Sequence, residues 1–279
     1  MPPMDTTLRH WLVDHPLVSS FEWIPGRTFG ASPQFLAAAV LSYLALTLLL
    51  RRLLLPPPEK PLLDPSLFRS ISALHNFLLL LLSAVMAAGC SLSAAAVLPT
   101  PRHLFCFPSP TPSRGPLFFW AYVFYLSKLL EFLDTFLILL NPGGQRRRLT
   151  FLHVYHHATV VVMCYLWLAA AQSLFPVALV TNASVHTVMY GYYFLCSVGR
   201  PPRWKRLVTD VQIVQFVFSF AVSVALLWCQ FVDPVAGGCS GMKAWVFNAG
   251  FNASLLALFV NFHSKSYGSS KKDVKEKAK

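Results

Sequence analysis

Long apolar segments recur from one end of this chain to the other, and they leave few folds open to it. Seven stretches, at approximately 34–54, 71–98, 116–140, 150–171, 174–198, 207–231 and 244–263, each approach the ~20 residues that cross a bilayer core as a helix. Soluble domains carry roughly 25% charged residues; here 12% are charged and 55% hydrophobic. The pattern predicts an all-α, polytopic membrane protein with seven transmembrane helices, residues 1–279 forming one integral domain. The second stretch is long and broken by small residues, which predicts an irregular end. No basic-then-apolar start marks a cleavable signal peptide, so the first span is expected to act as the targeting signal.

Orientation follows from the cations. Arg51, Arg52, Lys60 and Arg69 follow the first span, Arg146, Arg147 and Arg148 the third, and Arg200, Arg203, Lys205 and Arg206 the fifth. Lys265, Lys271, Lys272, Lys275, Lys277 and Lys279 end the chain. The opposite connections hold only Arg9, Arg27, Arg102, Arg114 and Lys243, and Lys128 lies within the third span. This asymmetry predicts a lumenal N-terminal segment (about 1–33) and a cytosolic tail (about 264–279). It also accounts for the net charge of +12 without a nucleic-acid partner. Pro56 to Pro61 reads as a stiff cytosolic linker and Pro99 to Pro116 as a proline-rich lumenal loop. Cys106 in that loop and Cys239 between the last two spans form a disulfide if both face an oxidising lumen, and are free thiols otherwise. The sequons at Asn182 and Asn252 lie inside spans, out of reach of glycosylation. The six cysteines form neither a CxxC pair nor a cysteine–histidine cluster, so no metal site is expected.

Polar residues inside the spans carry the functional signal, because ionisable groups are costly there and usually face a polar interior. His153, His156 and His157 open the fourth span on one helical face, with no charge from Ala158 to Ala171. The third span holds Lys128, Glu131, Asp134 and Thr135. The fifth aligns Asn182, His186, Tyr190 and Tyr193 on one face, and the sixth opens with Thr209, Gln212 and Gln215. Counted inward from the cytosolic ends at ~1.5 Å per residue, His156 and Asp134 lie about 10 Å deep and His186 and Lys128 about 18–20 Å. Four spans thus present polar groups at overlapping depth, which predicts a water-accessible chamber opening to the cytosol. His10, His15 and His103 fall in lumenal segments and His263 at a boundary; His75 enters the second span alone and reads as structural.

These groups spell out four motifs: KxxExxDT from Lys128 to Thr135, HxxHH from His153 to His157, NxxxHxxMYxYY from Asn182 to Tyr193, and TxxQxxQ from Thr209 to Gln215. In this order they resemble the ELO family of fatty-acid elongases, the membrane 3-ketoacyl-CoA synthases. The resemblance implies six of seven helices enclosing an acyl-chain tunnel, and condensation of a long-chain acyl-CoA with malonyl-CoA in the endoplasmic reticulum membrane. No cofactor is implied, since both CoA esters are substrates. Ketoreductase, dehydratase and enoyl reductase would act next. His156 is the expected nucleophile and His186 its proton-handling partner, with His153, His157, Asn182 and Tyr190 shaping the centre. Lys128, Glu131, Asp134 and Tyr193 would organise the chamber, Gln212 and Gln215 the pantetheine amides, and Arg203, Lys205 and Arg206 the CoA phosphates. Lys275 to Lys279 resembles a KxKxx retrieval signal. Two other readings remain open at this point: a di-iron desaturase or hydroxylase, which also uses HxxHH, and a non-catalytic seven-helix receptor or transporter. Acyl length and oligomeric state are not legible.

Overall fold

The computed structural model describes residues 4–54, 62–141, 149–232 and 237–267. The proline linker after the first span, Arg146–Arg148 and the lysines beyond Tyr267 lie outside these residues. Short helices α1 (Met4–Arg9) and α2 (Pro16–Ser19) flank a π-helical turn at His10–Asp14. The longer elements are α3 (Pro33–Leu53), α4 (Pro65–Val97), α5 (Pro116–Leu130), α6 (Phe132–Leu140), α7 (Phe151–Ala169), α8 (Phe175–Ser197), α9 (Lys205–Phe231) and α10 (Met242–Tyr267). Pairing outside helices is limited, among the described residues, to the isolated bridges Glu22 with Arg114 and Pro108 with Cys239.

Helix starts are written in the sequence. Proline occupies the first or second position of α3, α4, α5 and α8, where its missing N–H costs no intrahelical bond. The Ser32 hydroxyl accepts from the Phe35 N–H, the Asp64 carboxylate from the Ser66 and Leu67 N–H groups, and the Thr150 hydroxyl from the His153 N–H. The Ser66 hydroxyl and these two amides hold the Asp64 carboxyl below its usual range.

Among the described residues five helices, α3, α4, α7, α9 and α10, are long and apolar enough to cross a membrane. The stretch expected as one span at 116–140 is divided at Glu131 into α5 and α6. The stretch expected at 174–198 is the single helix α8, whose apolar run is interrupted by Asn182, His186 and the tyrosines. The irregularity expected in the second span is absent: α4 runs unbroken for 33 residues. Its small residues serve packing instead. At Gly89 a Cβ would stand 2.1 Å from Trp120 Cε2, so the indole of α5 lies directly on the α4 backbone.

Packing closes the helices into a cycle. α4 lies along α8, α8 on α9, α9 on α10, α10 on α7, α7 on α5 and α5 back on α4; α3 sits outside against α6 and α7. Aromatic side chains fill the core between α5, α7 and α8, with Phe124 stacked on Trp167 at 5.6 Å and Phe118 tilted against Phe175 at 5.0 Å between ring centroids. One end of the cycle is sealed. Cys106 and Cys239 are disulfide-bonded, with Cα atoms 5.0 Å apart. Ser173 accepts from the Phe107 N–H and donates to the Ser240 carbonyl. Gly241, at φ +74°, leaves no room for a side chain, since a Cβ would meet Gln172 Cα at 2.4 Å. The N-terminal segment is pinned on the same side by the Trp120 indole N–H donating to the Leu12 carbonyl at 2.9 Å.

Gly89→Ala is expected to force Trp120 off α4 and cost about 1–3 kcal/mol as overpacking. Thermal unfolding of the detergent-purified protein should show a lowered Tm, and an unchanged Tm would contradict this packing.

Candidate active site

The break between α5 and α6 comes at an ionisable residue, Glu131. The Glu131 N–H still donates to the Ser127 carbonyl at 2.9 Å, and the Asp134 N–H then turns to the Glu131 carbonyl at 3.1 Å. Lys128 and Glu131 are each about 1% exposed. Lys128 Nζ donates to Glu131 Oε1 at 2.7 Å and stands 4.4 Å over the Phe124 ring. An isolated charge in such surroundings costs several kcal/mol, so the pair is obligatory for both members. Glu131 Oε2 remains buried without a hydrogen-bond partner among the described residues.

His186 joins this pair from α8. Its Nδ1 lies 3.3 Å from Lys128 Nζ and 3.5 Å from Glu131 Oε1. The next two residues of the motif reach in other directions. Asp134 Oδ1 accepts from His75 Nε2 of α4 at 2.7 Å, and its Oδ2 accepts from the Tyr190 hydroxyl of α8 at 2.7 Å. The Thr135 hydroxyl bonds the Tyr43 hydroxyl of α3 and His153 Nε2 of α7, both at 2.9 Å. Four residues of one motif therefore bind α3, α4, α7 and α8.

The histidine cluster of α7 forms the facing wall. His153 packs on His157 at 4.4 Å between ring centroids, and His156 lies between His157 and Phe251 of α10. The Nδ1 atoms of His156 and His157 are buried without partners among the described residues. His153 is committed to Thr135, whereas His156 makes no side-chain hydrogen bond there, so its ring lone pair is free to meet an electrophile.

A cavity of about 900 Å³ runs between these walls. Glu131, Asp134, His153, His156, His157, Asn182, His186, Tyr190, Tyr193, Gln212 and Gln215 line it. Asn182 Nδ2 donates to Gln215 Oε1 at 3.3 Å, while its Oδ1 is buried and unpartnered among the described residues. Gln212 Nε2 approaches Met189 Sδ at 3.6 Å. Lys128 stands behind Glu131 and does not line the cavity. Arg69 and Lys205 line it near the ends of α4 and α9, beside Tyr267 at the end of α10. Arg203 is exposed and outside the lining, and Arg206 is held on Asp210 Oδ2 at 3.5 Å. Asp210 also takes His263 Nε2 at 3.0 Å, clasping α9 to α10. Among the described residues, no three His, Cys, Asp or Glu side chains converge in a metal-ligating group.

Sequence reasoning missed His75, Tyr43 and Arg69. For His75 the signal was present, since an imidazole in an apolar span requires a polar partner; only its location, 59 residues away, was not readable. Arg69 was counted for orientation alone.

A helical cycle around a polar chamber, with histidines on α7 and α8 and a buried ion pair behind them, built largely from helices long and apolar enough to cross a bilayer, defines a multi-pass membrane protein. The model of the ELO family, described as the GNS1/SUR4 family, matches residues 28–276. The chain belongs to this family of fatty acid elongases. An Arabidopsis thaliana protein named fatty acid elongase 3-like is 28% identical over 282 residues, spanning 96% of this chain and 94% of its own length. Human very long chain fatty acid elongase 5 is 33% identical over 216 residues, 73% of this chain and 66% of its own. Its rat counterpart is 38% identical over 156 residues, 53% of this chain and 47% of its own.

Lys128→Met should strand the buried Glu131 and cost about 3–5 kcal/mol, whereas Lys128→Met with Glu131→Leu should recover most of the lost Tm. Both variants should lack elongation activity. A double variant as unstable as the single one would show that the charges do not set each other's cost.

Proposed function

We propose that this protein condenses a long-chain acyl-CoA with malonyl-CoA to give 3-ketoacyl-CoA, CO2 and CoA through an acyl group carried on His156. The observation that carries this reading is His156 itself: an imidazole free of hydrogen bonds, facing a 900 Å³ chamber that His186 and the Glu131 carboxylate also line. A neutral imidazole attacks a thioester without prior loss of a proton. The new C–N bond replaces the C–S bond, and the departing CoA thiolate takes up a proton. Malonyl-CoA then loses CO2, and the electrons of that C–C bond become the carbon nucleophile that attacks the acyl-imidazole. The C–N bond breaks and His156 is regenerated. The sum consumes one proton, which ends on CoA.

Each step needs a donor where negative charge develops on oxygen. His186, held by the Lys128–Glu131 pair, and Asn182 are the groups assigned to that task. Gln212 and Gln215 offer amides to the pantetheine arm. Of the trio expected from sequence, Lys205 is retained for the phosphate contacts and Arg69 is added in this reading, which is supported by both cations bordering the cavity and by Arg206 being paired with Asp210. The acyl chain would extend from His156 toward the sealed end, within a tunnel enclosed by the helical cycle. Seven spans, an endoplasmic reticulum location, a lumenal disulfide end and a cytosolic chamber mouth belong to the same reading. So do onward transfer of product to a ketoreductase, a dehydratase and an enoyl reductase.

Carbon-labelled malonyl-CoA offered with a panel of acyl-CoAs should give labelled 3-ketoacyl-CoA with the purified protein and none with His156→Ala. Intact-protein mass spectrometry should find an acyl adduct that disappears in that variant; an adduct that persists would move the nucleophile elsewhere. Arg69→Ala and Lys205→Ala should each raise KM for acyl-CoA roughly fivefold, equivalent to about 1 kcal/mol, with kcat little changed. The effect should shrink as salt is raised.

A further inference from the structure

His75 belongs to no motif of the site, yet it makes one of the shortest side-chain contacts in the molecule. Its Nε2 lies 2.7 Å from Asp134 Oδ1, and only 9% of the residue is exposed. It does not line the cavity, although Ser72 and Asn76 of the same helix do. Anything it does for the chemistry must pass through another residue. Asp134 supplies the link, because its second oxygen accepts from the Tyr190 hydroxyl at 2.7 Å. Tyr190 is fully buried, borders the cavity, and sets its ring edge-on to His186 at 5.6 Å between centroids.

Resting on the condensation reading above, we propose that His75 is a positioning residue: by donating to Asp134 it fixes the carboxylate that orients Tyr190, and through Tyr190 the ring of His186. A phenol has one proton. Because Tyr190 gives that proton to Asp134, its oxygen presents lone pairs to the chamber and accepts from the substrate's N–H groups. Asp134 holds this arrangement only while both of its oxygens are engaged. Without His75, Oδ1 is a buried acceptor lacking its donor, a costly state that the carboxylate relieves by rotating. Rotation releases Tyr190, whose hydroxyl then turns inward as a donor, and the edge-on packing against His186 is lost. The chain His75–Asp134–Tyr190–His186 crosses α4, α6 and α8, so the helix packed most extensively on α8 also sets the geometry of the site.

The test uses the full-length protein in detergent, labelled malonyl-CoA and one good acyl-CoA. His75→Gln keeps an N–H close to where Nε2 stands, whereas His75→Asn places its amide nearer the position of Nδ1 and His75→Leu has no donor. Expected are a fall in kcat of at least tenfold for the Leu and Asn variants, KM within about twofold of wild type, and recovery to within about threefold for Gln. Combined with Tyr190→Phe, His75→Leu should cost little further kcat, because the two changes cut the same chain. Equal activity for Gln and Asn variants, a loss in KM alone, or fully additive losses with Tyr190→Phe would overturn the proposal and leave His75 as a plain interhelical pin. If Leu does not fold, the Gln-against-Asn ranking still decides. Wild-type protein that folds but forms no 3-ketoacyl product overturns the condensation reading itself, and this inference with it.

Discussion

The buried pair of Lys128 and Glu131 is the constraint from which the rest of the site follows. Both residues are almost wholly buried, and desolvating each charge costs several kcal/mol that only close, well-directed partners offset. Their mutual bond at 2.7 Å satisfies part of that demand. The remainder draws in His186 from α8, and the helix ends one turn and begins another at Glu131 itself. Once the helix has turned there, Asp134 and Thr135 face α3, α4, α7 and α8 together. A cavity wall and a structural hub are thus the same few residues.

The contrast between walls has a chemical meaning. On the α6 side every polar group except Glu131 Oε2 is tied down, which holds that wall still. On the α7 side His153 is anchored to Thr135, while His156, one turn further, is not bonded. The role proposed for His156 would draw on that division, a rigid scaffold of satisfied groups beside one imidazole left unbonded.

Much of this was legible in the sequence because a bilayer permits so few backbones. The stretches expected at 34–54 and 174–198 correspond to Pro33–Leu53 and Phe175–Ser197, each differing by one residue at both ends. Counting depth along helices also grouped His156, Asp134, His186 and Lys128, since rise per residue is fixed, and of these only Lys128 stands outside the cavity lining. What was not legible depends on contacts between helices. The division of 116–140 follows from tertiary demand on Glu131, which outweighs a strongly helical sequence. The small residues of α4 suggested irregularity, but Gly89 is there to admit Trp120. His75 reads as an isolated histidine until α6 is packed beside it. Arg69 and Arg203 carry the same charge near the same boundary, and only the packing shows that Arg69 borders the cavity.

The order of the helical cycle also bears on how such a chain is made. α4 and α8 are neighbours in space, yet more than half the described helices are synthesised before α8 appears. Until then His75 has no route to Tyr190, and His153 precedes its chamber. The stretch at 116–140 holds three ionisable side chains; Asp134 can meet His75 of the earlier helix α4, but Lys128 and Glu131 would enter a membrane as two formal charges before His186 exists. The spacing of Lys128 and Glu131, three residues apart on one turn, removes that difficulty, for the pair neutralises itself as soon as the turn forms. A contact that later holds His186 at the chamber wall thus first lets its own helix leave water.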